Sequence, residues 1–226
     1  MDKKILILLP IWGREKITKL CFDNLKELQK DYNIEVLCIV SEQWAKIMAF
    51  EYGFKYVNAS NECLGTKMNI GVERAKTLEF DYLMNLGSDD IITKDLFKAY
   101  EDYFNKGVGI FGGTKATFID SESKEVKRFD YGVLIGAGRC IRKDILLEYT
   151  KDGMYDKIQR CLDMNSMKRF ISVSNTEVQI PFTAIYDIKS DNNIWKFNEL
   201  PKGESLGFSE AVKGLNTKQI DTILEL

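Results

Sequence analysis

The 226-residue chain contains no histidine at all. That absence removes Ser-His-Asp and Cys-His nucleophile systems and every His-ligated metal site, so any metal must rest on oxygen ligands. Its five cysteines, Cys21, Cys38, Cys63, Cys140 and Cys161, are odd in number, widely spread and never in C-x-x-C spacing. Neither a disulfide framework nor a zinc site is signalled. Only 3 prolines and no biased tract interrupt a composition that is 45% apolar and 29% charged, which is that of an ordinary globular domain with a sizeable core. Formal charge is -2, so no overall positive field draws the chain onto nucleic acid or an anionic membrane. No apolar run approaches the roughly 18 to 20 residues that cross a bilayer. The short run Ile5 to Trp12 meets Arg14-Glu15-Lys16 at once and reads as a first buried strand, not a signal peptide. The expectation is a soluble, cytoplasmic protein without a membrane anchor.

Strand and helix patterns alternate through the first half. Ile5 to Leu9 is a β-rich apolar run, and Ile17, Leu20, Cys21, Asn24, Leu25 and Leu28 then recur at helical spacing. Ile34 to Val40 is a second strand, Gln43 to Glu51 a short helix stopped at Gly53, and Phe54 to Val57 a third strand. A polar loop from Asn58 to Gly65 leads to a helix over Thr66 to Leu78 and a buried strand over Tyr82 to Leu86. Thr93 reads as the N-cap of a helix through Phe104. This alternation predicts an α/β fold with a mainly parallel sheet and helices on both faces. Past Gly107 the pattern becomes short strands to Asp130, a Gly136-Ala137-Gly138 loop, helices over Lys143 to Tyr149 and Tyr155 to Phe170, strands over Ile171 to Ile188, and a last helix from about Thr217.

Two constellations carry chemistry. Strand Tyr82 to Leu86 runs into Gly87-Ser88-Asp89-Asp90. Ligands of open α/β sheets bind beyond the strands' carboxyl ends, and clustered hard oxygens there suit Mg²⁺ or Mn²⁺. Asp-Asp after a strand is, taken alone, just as much a turn or a cap. The second constellation is Gly153-Met154-Tyr155-Asp156 followed by Leu162-Asp163-Met164-Asn165 and Arg169. On one helix Asp156 and Asp163 would point to the same side, about two turns apart. A solvated acidic face has the same pattern.

Taken together, Gly65-x-Lys67-x-Asn69-x-Gly71, Ala75, the Tyr82 strand, Asp89-Asp90 and the Asp163 to Arg169 spacing resemble the family-2 glycosyltransferases of the GT-A fold, over roughly residues 4 to 190. Three departures stand out: Gly87 replaces the first acid of the Asp-x-Asp triad, Leu162 a usual Glu, and Asn165 a usual Asp. The resemblance implies a UDP-sugar or other nucleotide-sugar donor, a hydroxyl acceptor, and an inverting displacement with Asp163 as base and Asp156 beside it. It also implies that Asp89, helped by Asp90, holds Mn²⁺ or Mg²⁺. Asp187, or Lys189 as a cation, would stand in for the family's later His.

Pro10 and Trp12 would wall the nucleoside, Glu42 approach base or ribose, and Arg14, Ser88, Lys67 and Asn69 face the diphosphate. Gly138, in the small-residue loop Gly136 to Arg139, would border the donor sugar. Residues 1–106 would form a donor half and 107–190 an acceptor half of one catalytic domain, with 191–226 a flap and helix carrying Trp195 and Phe197. Glycan, protein, small molecule and modified DNA base all stay open as acceptors, the last through a patch such as Lys124, Lys127, Arg128, Lys168 or Arg169. Two other readings remain: a nucleotidyltransferase, against which the glycine-poor loop Pro10 to Arg14 counts, and a non-catalytic nucleotide-sugar-binding module.

Overall fold

A computed structural model describes residues 2–170, 172–173, 175–178 and 183–226, with the side chains of 175–177 left aside. In chain order the strands and helices of the first half are β1 (Ile5–Pro10), α1 (Glu15–Leu28), β2 (Ile34–Val40), α2 (Gln43–Glu51), β3 (Lys55–Asn58), α3 (Leu64–Lys76), β4 (Tyr82–Asn85), β5 (Asp90–Ile92) and α4 (Lys94–Lys106). The second half adds β6 (Ile110–Gly113), β7 (Lys115–Asp120), β8 (Val126–Asp130), β9 (Cys140–Arg142), α5 (Lys143–Tyr149), α6 (Leu162–Met167), β10 (Asn175–Val178), β11 (Ile185–Lys189), β12 (Glu204–Leu206), α7 (Phe208–Ala211) and α8 (Thr217–Leu224).

The larger sheet runs β10-β6-β9-β4-β1-β2-β3. Strands β3, β2, β1 and β4 are parallel, and only β9 opposes its neighbours β4 and β6. β1 is apolar throughout because both its faces are covered: Ile5, Ile7 and Leu9 belong to one hydrophobic cluster, Leu6 and Leu8 to another. Strand alternation thus divides one run between two cores. Gly71 permits α3 to lie close on the second face, since a methyl group there would collide with Ile39 and Leu8.

The parallel sheet with helices on both faces agrees with the sequence pattern. A second, five-stranded sheet, β12-β8-β7-β11-β5, does not follow from it. The expected turn after β4 crosses from one sheet to the other: Leu86 to Asp89 leave the first, and Asp90 begins β5 of the second. Antiparallel pairing of β5 with β11 sets Asp187 directly opposite Asp90.

Local boundaries also differ. The helix expected from Thr66 begins at Leu64. Thr93 occupies the N-cap position of α4 without its hydroxyl capping, whereas Asn216 caps α8 with a reciprocal bond from Gln219. The helix expected over Tyr155 to Phe170 is reduced to α6 and one following 3₁₀ turn. Asn69 Oδ1 accepts from the amides of Met154 and Tyr155, and Asn165 Oδ1 from that of Asp156, so side chains satisfy the donors that a helix would have used. Cys161, with φ 61°, then sets the start of α6. Of the strands expected between Ile171 and Ile188, β10 and β11 are present; residues 171, 174 and 179–182 lie outside the described ones.

Candidate active site

The carboxyl ends of β1 and β4 open on a cleft of about 320 Å³. The loop after β1 is shaped at Gly13, whose φ of +71° favours glycine and whose amide donates to Glu42 Oε2 at 2.7 Å. Pro10, Trp12 and Arg14 line the cleft, with Trp12 46% exposed. Glu42 is not among the lining residues; it braces the loop that carries Trp12.

At the floor lie Asp89, Asp90 and Asp187, each with an oxygen within 4.8 Å of the others'. Arg14 Nη1 donates to Asp89 Oδ2 at 2.5 Å and Nη2 to Ser88 Oγ at 3.2 Å. Asn193, from the tail, donates to the same Asp89 oxygen at 2.6 Å. Lys189 Nζ pairs with Asp187 Oδ2 at 2.7 Å. Asp90 Oδ2 accepts from the Gly87 amide at 2.6 Å.

The three carboxyls are held in different states by these surroundings. Burial raises the Asp89 carboxyl, but Arg14, Lys189 and the Asn193 bond outweigh it and leave it below the usual range. Burial, and then the charges of Asp187 and Asp89, push Asp90 well above it. Asp187 is pushed up to about 6, by burial first and Asp89 next, against the pull of Lys189. Like charges opposed across a strand pair destabilise it, and a shared proton or cation relieves them.

The donor set fits a hard divalent cation. It is all oxygen, and Asp187 Oδ1 is buried with no hydrogen-bond partner.

Asp163 stands at the first turn of α6 and lines the same cleft. Fully buried Arg139 holds that turn, donating to the Asp163 carbonyl oxygen at 3.1 Å and to Ser166 Oγ at 2.6 Å. Gly136 faces the Asp163 carboxylate so closely that a methyl group would displace it.

Several expected site residues make contacts with the rest of the chain. Asp156 shares no helix with Asp163; its carboxylate accepts from Asn165 Nδ2 at 2.6 Å and Arg169 Nη2 at 2.8 Å, and it is not among the cleft's lining residues. Asn69 is turned away from the cleft to bind the Met154–Tyr155 backbone. Lys67 does line the cleft, yet its ammonium is held by Ile11 O at 2.5 Å, Asn61 Oδ1 at 2.6 Å and Ser41 Oγ at 3.1 Å, where burial depresses it to about 8. Gly138, with φ +72°, packs inward against Ile185, Leu96 and Tyr100, so Gly136 and not Gly138 borders the cleft.

Within the tail, Trp195 lines the cleft and Phe197 is buried beneath Lys127. Lys124, Arg128 and Arg169 are likewise engaged internally, with the Ile223 carbonyl, Thr183 and Asp156. Arg139 and Asn193 were not anticipated. A buried arginine carries no sequence signature, and Asn193 reaches Asp89 across 104 residues of chain.

No protein-family profile and no curated protein sequence matches the chain. Solved structures do. S. aureus TarS superposes with a TM-score of 0.62 at 14% identity, covering 83% of this chain and 37% of that one. Its 1–349 fragment in complex with UDP gives 0.61 at 14% identity, covering 83% and 61%. Glucosyl-3-phosphoglycerate synthase from Mycobacterium tuberculosis, in complex with Mn²⁺, UDP and glucosyl-3-phosphoglycerate, gives 0.54 at 12% identity, covering 79% and 71%. The fold is GT-A. This GT-A chain spans little more than a third of TarS and about three fifths of the TarS fragment. Among the described residues no helix is long and apolar enough to cross a membrane.

Proposed function

We propose that the chain transfers a sugar from a nucleotide diphosphosugar, UDP-linked, to a hydroxyl acceptor, with inversion at the anomeric carbon and dependence on a divalent cation. The observation that carries this reading is the pairing, across one cleft of a GT-A fold, of an acidic cluster with a separate carboxylate, Asp163. UDP and Mn²⁺ occur together in the mycobacterial synthase it resembles. Residues 1–106 would supply the donor side, 107–190 the acceptor side, and 191–226 a flap.

Asp89, Asp90 and Asp187 would hold Mn²⁺ or Mg²⁺, which when bound neutralises charge on a diphosphate. Pro10 and Trp12 form an apolar wall for the nucleoside. Arg14 and Lys189 add fixed positive charge on the diphosphate side, in a site where burial strengthens it. Asp163 takes the proton of the acceptor hydroxyl as its oxygen bonds to the anomeric carbon. The bond from that carbon to the diphosphate breaks, and its electron pair leaves on the phosphate oxygen. Arg139 and Gly136 set the position of Asp163.

A thermal-shift panel of nucleotide sugars with and without Mn²⁺ tests the proposal. UDP-sugars with Mn²⁺ should raise Tm, and slow donor hydrolysis should vanish in Asp89→Ala. Absence of any Mn²⁺-linked stabilisation across the panel would sink the reading.

A further inference from the structure

The donor cleft does not end at Asp163. A second chamber of about 560 Å³ continues from it, and Asp90, Ala137, Asp163, Asp187, Lys189 and Trp195 line both. Beyond the shared residues its walls are mainly apolar, Phe118, Tyr131, Val133, Met164, Leu200 and Pro201, with Phe118 opposite Asp187 on the neighbouring strand and its ring 5.4 Å from the Lys189 ammonium. The rings of Phe118 and Tyr131 meet edge to face, with centroids 6.5 Å apart at 72°. The chamber's two further charged side chains, Arg160 and Glu199, pair with each other at 3.7 Å, and Arg160 lies 4.5 Å above the Trp195 ring.

A polyhydroxylated acceptor lying against these apolar walls would lose water from each hydroxyl that meets hydrocarbon, a loss for every buried polar group left without a partner. An aromatic body gains there instead, by area removed from water and by ring contacts. Val133 and Met164 are 53% and 69% exposed, apolar surface that an occupant would cover. Methionine also adapts its shape to ring-sized ligands.

We propose that the acceptor carries its hydroxyl on an aromatic ring, directly or through one carbon, with the ring against the apolar walls formed by Phe118, Val133 and Met164 and the hydroxyl at Asp163. The proposal rests on the transferase reading above and names its acceptor class. In the balanced step, the aryl or benzyl oxygen bonds to the anomeric carbon, its proton passes to Asp163, and the nucleoside diphosphate leaves.

Ligand-observed saturation-transfer NMR on the full chain with UDP and Mn²⁺ tests it, using benzyl alcohol and methyl β-glucoside as probes. Benzyl alcohol should receive saturation through its ring protons and methyl β-glucoside should not. Val133→Asp and Met164→Asp, both at exposed positions, should each weaken benzyl alcohol at least tenfold while the Tm shift from UDP and Mn²⁺ stays as in the parent. Preference for the glucoside, or benzyl alcohol binding unaltered in both variants, overturns the acceptor proposal alone. Loss of the UDP shift in the parent chain overturns the transferase reading and this proposal with it. Binding of benzyl alcohol that a second apolar macromolecular surface, such as phosphatidylcholine vesicles, displaces also counts against a small aromatic acceptor. The comparison of the two probes on the parent chain needs no variant to fold.

Discussion

Arg14 and Asp89, 75 residues apart in sequence, meet at 2.5 Å with side chains only 13% and 11% exposed. The carboxylate best placed to hold a cation is therefore already neutralised by a cation of the chain's own. Lys189 does the same for Asp187. Two fixed positive charges beside three carboxylates make metal binding a competition, and its strength depends on how readily Arg14 releases Asp89.

Arg14→Gln should consequently tighten Mn²⁺ about ten- to a hundredfold, the effect of deleting one charge a few Å away at an effective protein dielectric. Titration of free Mn²⁺ by electron paramagnetic resonance measures it. The same variant should bind UDP more weakly. Unchanged or weaker Mn²⁺ binding would show that Arg14 is a fixed part of the scaffold.

Acidity should oppose the metal through Asp187, whose carboxyl titrates near 6. Below that value it takes up a proton, so Mn²⁺ affinity should fall by about tenfold per pH unit as the proton competes for the ligand. Because the folded value lies above the ordinary 3.8, the native state takes up this proton before the unfolded chain does. Asp187 should therefore make the metal-free protein more stable as pH falls from about 6 toward 4. Asp187→Asn should flatten both dependences, which calorimetric titration and urea unfolding across that range would detect.

For Asp163, the proposed base, Asp163→Asn should lower turnover about 10²- to 10⁴-fold and leave the UDP–Mn²⁺ thermal shift intact. Gly136→Ala should lower turnover in the same direction with little change in stability, because the methyl group meets the end of the Asp163 side chain and not backbone. A variant of Asp163 that keeps full turnover would remove it from the mechanism.

Asn69 offers a test of scaffold against binding site. It makes three bonds to the Met154–Tyr155 backbone, so Asn69→Ala should cost about 1–3 kcal/mol of stability in urea unfolding. Gly65→Ala should cost a similar ~1–3 kcal/mol, since a methyl there collides with the Asp156 carbonyl. If either variant instead weakened UDP tenfold with stability unchanged, the motif would belong to the donor site.

Much of the first half was readable from sequence for a local reason: a buried parallel strand needs a continuous apolar run, and a helix needs one apolar stripe. Hence Ile34 to Val40, Gln43 to Glu51 and Lys143 to Tyr149 coincide with the observed bounds. Asp89 and Asp90 were also legible as acids where a strand ends, and Asp187 as an acid within a later strand. The Tyr155 to Phe170 segment misled, because helical periodicity says nothing of the distant Asn69 that captures its backbone.

By itself the sequence narrowed the chemistry open to this protein: without histidine its carboxylates are the principal hard ligands and general bases, and its alternating apolar runs point to an α/β core. Tertiary structure alone decided which carboxylates are brought together in the cleft and which are bound elsewhere. The β5–β11 register faces Asp187 to Asp90, the first-strand loop delivers Arg14 to Asp89, and Arg139 turns Asp163 toward the cleft while Asp156 is bound elsewhere. Such partnerships join residues far apart in the chain, and their energies exist only once the packing has brought them into contact.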